Sequence, residues 1–149
     1  MFFFLLFIFS CNSNTQDDNI TVYNFMSKKI EKLSLKMKYK DSIVDYTYRS
    51  EDRFKDVDFR YYLDKDVLVD DEILYFKGKQ FIYKNRSFKL YGYGKERQGV
   101  SHPRMLFFNM DYGILANVTY GVPFLSLKDS IPYKEADSLY SKIIKEIND

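Results

Sequence analysis

Residues 33–48 read LSLKMKYKDSIVDYTY, and this stretch decides the fold. Leu33, Leu35, Met37 and Tyr39 alternate with Ser34, Lys36, Lys38 and Lys40. A period of two puts one set on a buried face and the other in solvent, which predicts a half-buried strand. Lys40-Asp41-Ser42 has turn chemistry, and Val44, Tyr46 and Tyr48 resume the alternation, so the stretch reads as a hairpin. Working outward, Phe59, Tyr61 and Leu63 form a third set, and Val67 and Val69 follow a charged corner at Asp64-Lys65-Asp66. Ile73–Phe76 and Phe81–Tyr83 flank Lys77-Gly78-Lys79, which reads as a further hairpin turn. Asn85-Arg86 is another turn candidate before Phe88 and Leu90, and Gly92-Tyr93-Gly94 marks a bulge or strand end.

Beyond a polar loop at 95–104, Met105–Phe108 and Ile114–Tyr120 read as two more strands. The period then changes. Tyr133, Ala136, Tyr140, Ile143, Ile144 and Ile147 recur at three- and four-residue steps behind Pro132, the pattern of an amphipathic helix. Residues 20–32 fit a helix or a strand, since Ile20, Tyr23, Met26, Ile30 and Leu33 have helical spacing. The expected fold class is α+β: a mainly antiparallel sheet with the C-terminal amphipathic helix packed on one face, in a single domain over 20–149.

The amino terminus is different in kind. Residues 2–9 are eight consecutive apolar side chains, FFFLLFIF, too few for a helix spanning a bilayer, which takes roughly 20. Ile8-Phe9-Ser10-Cys11 follows, then the polar run Asn-Ser-Asn-Thr-Gln-Asp-Asp-Asn to residue 19. This resembles the lipobox of a bacterial lipoprotein, in which an aliphatic and a small residue precede an obligatory cysteine. The resemblance implies a signal peptide over 1–10, a Cys11 carrying a diacylglyceryl group and a further acyl chain such as palmitate, and a polar tether over 11–19. Two or three acyl chains anchor stably where one does not. Asp17-Asp18 is similar to the acidic export signal of surface lipoproteins in Bacteroidota. The implied location is the bacterial cell envelope, as an outer-membrane lipoprotein facing the periplasm or the surface. No Lys or Arg precedes the apolar run, which places the expected start of the reading frame upstream.

Composition narrows the chemistry. The 23 Lys and Arg nearly balance 21 Asp and Glu, so the chain lacks the basic excess of a nucleic-acid binder. A single cysteine and a single histidine leave no thiolate metal site and no structural disulfide, and no cofactor motif is present. Gly92-x-Gly94 lacks the third glycine of a dinucleotide fingerprint. Asp64–Glu72 fails the EF-hand spacing because Val69 stands where glycine is required, leaving Asp70, Asp71 and Glu72 as an irregular calcium candidate. Ser101-His102-Pro103-Arg104 is the most site-like string. Arg97, His102 and Arg104 are the candidate ligand-binding residues, the arginines suited to a carboxylate or phosphate. Asp41-Ser42-Ile43, Asp129-Ser130-Ile131 and Asp137-Ser138-Leu139 resemble the Asp-Ser/Thr-apolar site of Bacteroidota O-glycosylation, implying Ser42, Ser130 and Ser138 as acceptors.

Charge is blocked along the chain. Residues 28–40 hold six Lys and one Glu, 51–72 hold nine acids and four bases, and 77–104 hold eight bases and one acid. Blocks of opposite sign are expected to pair across neighbouring strands. The 14 Tyr and the nine Phe that follow residue 10 are expected chiefly to pack the sheet, with a Tyr-rich surface for a protein or glycan partner as the alternative. The functional expectation is a lipid-anchored envelope protein with a non-catalytic binding or accessory role, either a subunit of an envelope complex or a toxin-neutralising lipoprotein with a protein partner. The alternative is an enzyme acting on cell-wall or surface glycan through two of the carboxylates Asp64, Asp66, Asp70 and Asp111.

Overall fold

The computed structural model describes residues 14–52, 56–95 and 103–148. Ten strands run in sequence order: β1 (Thr15–Asn24), β2 (Lys29–Lys40), β3 (Ile43–Arg49), β4 (Val57–Tyr62), β5 (Val67–Val69), β6 (Ile73–Tyr83), β7 (Arg86–Tyr93), β8 (Met105–Asn109), β9 (Gly113–Asn117) and β10 (Phe124–Leu127). Each pairs antiparallel with the next, and β10 pairs with β1, so the sheet closes into an up-and-down barrel. Helix α1 (Tyr133–Asn148) packs outside the barrel. The α+β expectation of an antiparallel sheet with a terminal helix on one face holds, and closure is what the structure adds to it.

Register explains the alternation. Leu35 faces Tyr48, Met37 faces Tyr46 and Tyr39 faces Val44, which turns both apolar sets inward. The same register sends Lys36 and Lys38 outward opposite Thr47 and Asp45. The β6–β7 turn is Lys84-Asn85, both at positive φ (46° and 61°), the twist a two-residue hairpin turn needs.

Four local readings are corrected. Lys77-Gly78-Lys79 is not a turn: β6 runs through it, with a register shift between Phe76 and Gln80 and Gly78 at φ +78°. A bulge bends a strand, and beyond it Phe81 and Tyr83 pack in the layer under the helix while Lys79 Nζ donates to the Ile147 carbonyl. Residues 20–32 are not helical but form the end of β1, a turn and the start of β2. Residues 15–19, expected in the tether, are strand, paired along β2 from Thr15 opposite Lys38. Finally, β9 stops at Asn117 and the chain returns as β10, whose four residues close the barrel.

Two apolar layers result. The inner one fills the barrel with Leu35, Met37, Tyr46, Phe59, Tyr91, Phe108 and their neighbours. The outer one lies between the wall and α1, where Ala136 and Ile143 meet Tyr23, Phe88, Phe107, Leu115 and Leu125. All five residues of β9 are buried because both of its faces are covered.

Candidate binding surface

The barrel has no usable lumen. Small up-and-down barrels either fill their interior with side chains or hold a small ligand there. Here Met37, Tyr46, Leu74 and Tyr91 are each at most 1% exposed. A cavity wide enough for water would leave those inward-facing groups accessible, so the interior is packed. Tyr46 stacks on Phe59 at 4.7 Å between ring centroids, and Phe108 meets Tyr46, Phe59, Tyr61 and Tyr91.

The interior hydroxyls are spoken for. Tyr46 donates to the Met110 carbonyl, and the Tyr48 hydroxyl accepts the Ile114 N–H at 2.9 Å. Tyr61 and Tyr91 both donate to Asp66 Oδ1, at 2.7 and 2.5 Å, while Lys89 reaches Oδ2 at 2.7 Å. Burial pushes the Asp66 carboxyl up, but the bonds from Lys89, Tyr91 and Tyr61 together outweigh it and leave it below the usual range. Burial, and then the Asp66 carboxylate, raise Tyr61 to about 12. These hydroxyls stay protonated and tie the floor of the barrel.

Outside, β2–β5 carry a polar face with an open depression of about 610 Å³. Its acids are mostly neutralised. Arg60 Nε lies 2.9 Å from Asp45, and Arg49 binds Asp58 at 2.9 Å and Asp56 at 3.5 Å. The Arg49 hydrogen bond holds Asp58 below the usual carboxylate range, against a smaller opposing effect of burial. Asp70 pairs with Arg104 and also accepts the Glu72 N–H. Lys89–Asp66 and Arg104–Asp70 join the acidic block 51–72 to the basic block 77–104, but between strands that are not neighbours, since β6 lies between β5 and β7. Direct cross-strand pairing is seen instead between Asp45 and Arg60.

The four carboxylates considered for glycan hydrolysis are divided between the two ends of the barrel. Asp64 and Asp111 stand exposed in the turns at 63–66 and 110–112, Asp66 is bound by two tyrosines and a lysine, and Asp70 sits at the other end of the barrel against Arg104. A glycosidase acid must hold a proton near neutrality, and Asp66 is moved the opposite way. Of the candidate ligand residues, Arg104 is engaged by Asp70, and Arg97 and His102 lie outside the described residues, as does Cys11. Asp70 is likewise committed as a calcium candidate. Ser42, Ser130 and Ser138 are all exposed, on the β2–β3 turn, ahead of α1 and on the solvent side of α1.

The tyrosines go mainly to the two cores, and Tyr75 and Tyr120 are the exposed ones among the described residues. Asp17-Asp18, considered as an export signal, lies within β1. Asp18 takes bonds from Lys128 (2.6 Å) and Gln16 (2.8 Å), and these outweigh burial in lowering its carboxyl. Charges on an otherwise open stretch of strand also discourage edge-to-edge pairing.

What the sequence did not reveal is which cations go unpaired. Among the described residues, no carboxylate lies within 4.0 Å of Lys32, Lys36, Lys38 or Lys40 on β2. Comparisons with protein families, curated proteins and solved structures return no match, so the chemistry of this surface carries the functional reading.

Proposed function

We propose that this chain is a lipid-anchored protein of the bacterial envelope that works by binding through the outside of its barrel, as an accessory subunit of an envelope complex or a neutraliser of a toxin. The observation that carries the binding half is the filled interior: with no lumen and with the groove acids held by arginines, the outer wall is the surface left to work with. The anchoring half rests on Ile8-Phe9-Ser10-Cys11. The barrel starts at Thr15, four residues past Cys11, so a lipid there would hold the folded body within about 14 Å of the bilayer.

The barrel does not itself have the pattern of a membrane-spanning one. Such barrels turn an apolar band outward, whereas this one turns out Lys36, Lys38, Asp45, Arg49, Asp58 and Arg60. No helix among the described residues is long and apolar enough to cross a membrane. Mass spectrometry of the mature amino terminus tests the anchor, with an acylated Cys11 as the expected first residue. Met1 retained with an unmodified Cys11 would overturn it. Crosslinking in intact envelopes then separates the two roles: a constant stoichiometric partner marks a complex subunit, and a partner seen only on challenge marks a toxin neutraliser.

A further inference from the structure

The outward row of β2 reads Ile30, Lys32, Ser34, Lys36, Lys38, Lys40. At about 3.3 Å per residue it extends roughly 33 Å along the barrel. Arg49, Arg60, Lys89 and Lys128 have carboxylate partners, whereas these four lysines, which share one strand and one face, have none among the described residues. The flanking strands explain why. Opposite the row, β1 presents Thr15, Asp17, Asn19 and Thr21, and β3 presents Ile43, Asp45, Thr47 and Arg49. Asp45 is taken by Arg60, so Asp17 is the one acid beside the row not bound to an arginine.

The two ends of the row differ. At one end the chain arrives in β1, with Thr15 directly opposite Lys38. At the other stands an apolar tip made by two adjacent turns, joined by the Phe25 N–H to Pro123 carbonyl bond. Met26, Ile30, Tyr120 and Val122 there are between 51% and 77% exposed, beside exposed Lys28 and Lys29. Large exposed apolar side chains on turns next to lysines are the composition of interfacial membrane contacts.

We propose that this side of the barrel lies against an anionic bilayer, with the β2 lysines over the headgroup phosphates and the Met26–Val122 tip in the interfacial layer. The arrangement rests on the envelope reading above: the chain enters β1 at Thr15, opposite Lys38 at one end of the lysine row, and the tip stands at the row's other end, so a barrel lying on its side presents row and tip together. A tip at the far end from the arriving chain would not reach that surface if the barrel stood upright.

The test is co-flotation of the full chain with vesicles of phosphatidylcholine alone or with about 30 mol% phosphatidylglycerol. The unmodified chain is expected to favour the anionic vesicles about tenfold and to lose that preference in about 0.5 M NaCl. Lys36→Glu/Lys38→Glu should abolish the preference, whereas the charge-matched Lys142→Glu/Lys145→Glu on the exposed face of α1 should keep it. Met26→Asp should weaken binding to both vesicles several-fold. Lys36→Gln/Lys38→Gln gives the same readout if the glutamate pair does not fold. Equal binding to both vesicles, equal loss in the two charge-matched variants, or binding to soluble polyphosphate with no flotation would each overturn the proposal. An unmodified Cys11 with the preference intact removes only the anchor, and an acylated Cys11 without the preference removes only this docking face.

Discussion

The two aromatic layers look alike in composition and differ in how they are held. The inner layer draws its rings from strands far apart in sequence, and its hydroxyls are tied to the barrel floor through Met110, Ile114 and Asp66. The outer layer is closed by a single contiguous segment, α1, which lays Ala136 and Ile143 on the wall. Tyr23 bonds the main chain of Ile131 on both sides, and Tyr140 reaches the Asn117 carbonyl at 3.1 Å. One layer is therefore the fold itself, and the other is a docked element. Local opening follows such divisions, with contiguous units separating before the whole domain unfolds.

The strongest way to break the comparison is to empty each layer in turn. Phe108→Ala removes the ring that touches four others inside the barrel, and a loss of about 3–5 kcal/mol is expected, with all strands unfolding together in urea. Ile143→Ala should cost about 2–3 kcal/mol and act locally. Hydrogen exchange would show faster exchange in α1, while the amides of β2–β4 keep their protection. If β2–β4 amides lose protection in step with α1, the two layers are one cooperative unit and the distinction fails.

Acid separates them more gently. The Asp66 carboxyl titrates below its ordinary value in the folded chain. Its contribution is thus complete above the unfolded value near 3.9 and is lost as pH falls through the lower folded one. Asn tolerates the positive φ of 51° at this position, so Asp66→Asn changes the charge without straining the turn. The side chains of Lys89 and Asp66 are both more than a third exposed, which limits the expected loss at neutral pH to about 1 kcal/mol. Urea midpoints should show that difference at pH 7 and a smaller one at pH 3. A difference that grows in acid would mean the tyrosine hydroxyls, not the lysine, carry the stability.

The same division governs what could be read in advance. Strands β2, β3 and β4 have one wet face, and their alternation gave both their existence and their orientation. Strands β7–β9 are covered on both faces, so periodicity showed strands there without saying which side chains point inward. Closure was invisible because it depends on Phe124–Leu127, four residues behind a proline, pairing with a β1 whose first half is polar. Lys77-Gly78-Lys79 has turn composition, and only the pairing of both flanks with β7 shows it to be a bulge. The candidate surface was half legible. Lysine at alternate positions of β2 is plain in the sequence, but whether those lysines have partners depends on register, which puts Asp45 within reach of Arg60.

Ser126 tests how strictly the inner layer is built. It faces inward on β10 opposite Val22, is 1% exposed, and its hydroxyl has no protein hydrogen-bond partner. Its neighbours Leu125 and Leu127 point the other way, into the layer under the helix. A buried hydroxyl left unbonded costs about 1–3 kcal/mol of desolvation, whereas removing one oxygen forfeits only a little packing. Ser126→Ala should therefore raise stability by about 0.5–1 kcal/mol, seen as a higher urea midpoint with an unchanged slope. A fall instead would mean that the hydroxyl bonds to an ordered water near β10. The inner layer would then be polar at this seam, where the barrel closes through only four pairs between β1 and β10.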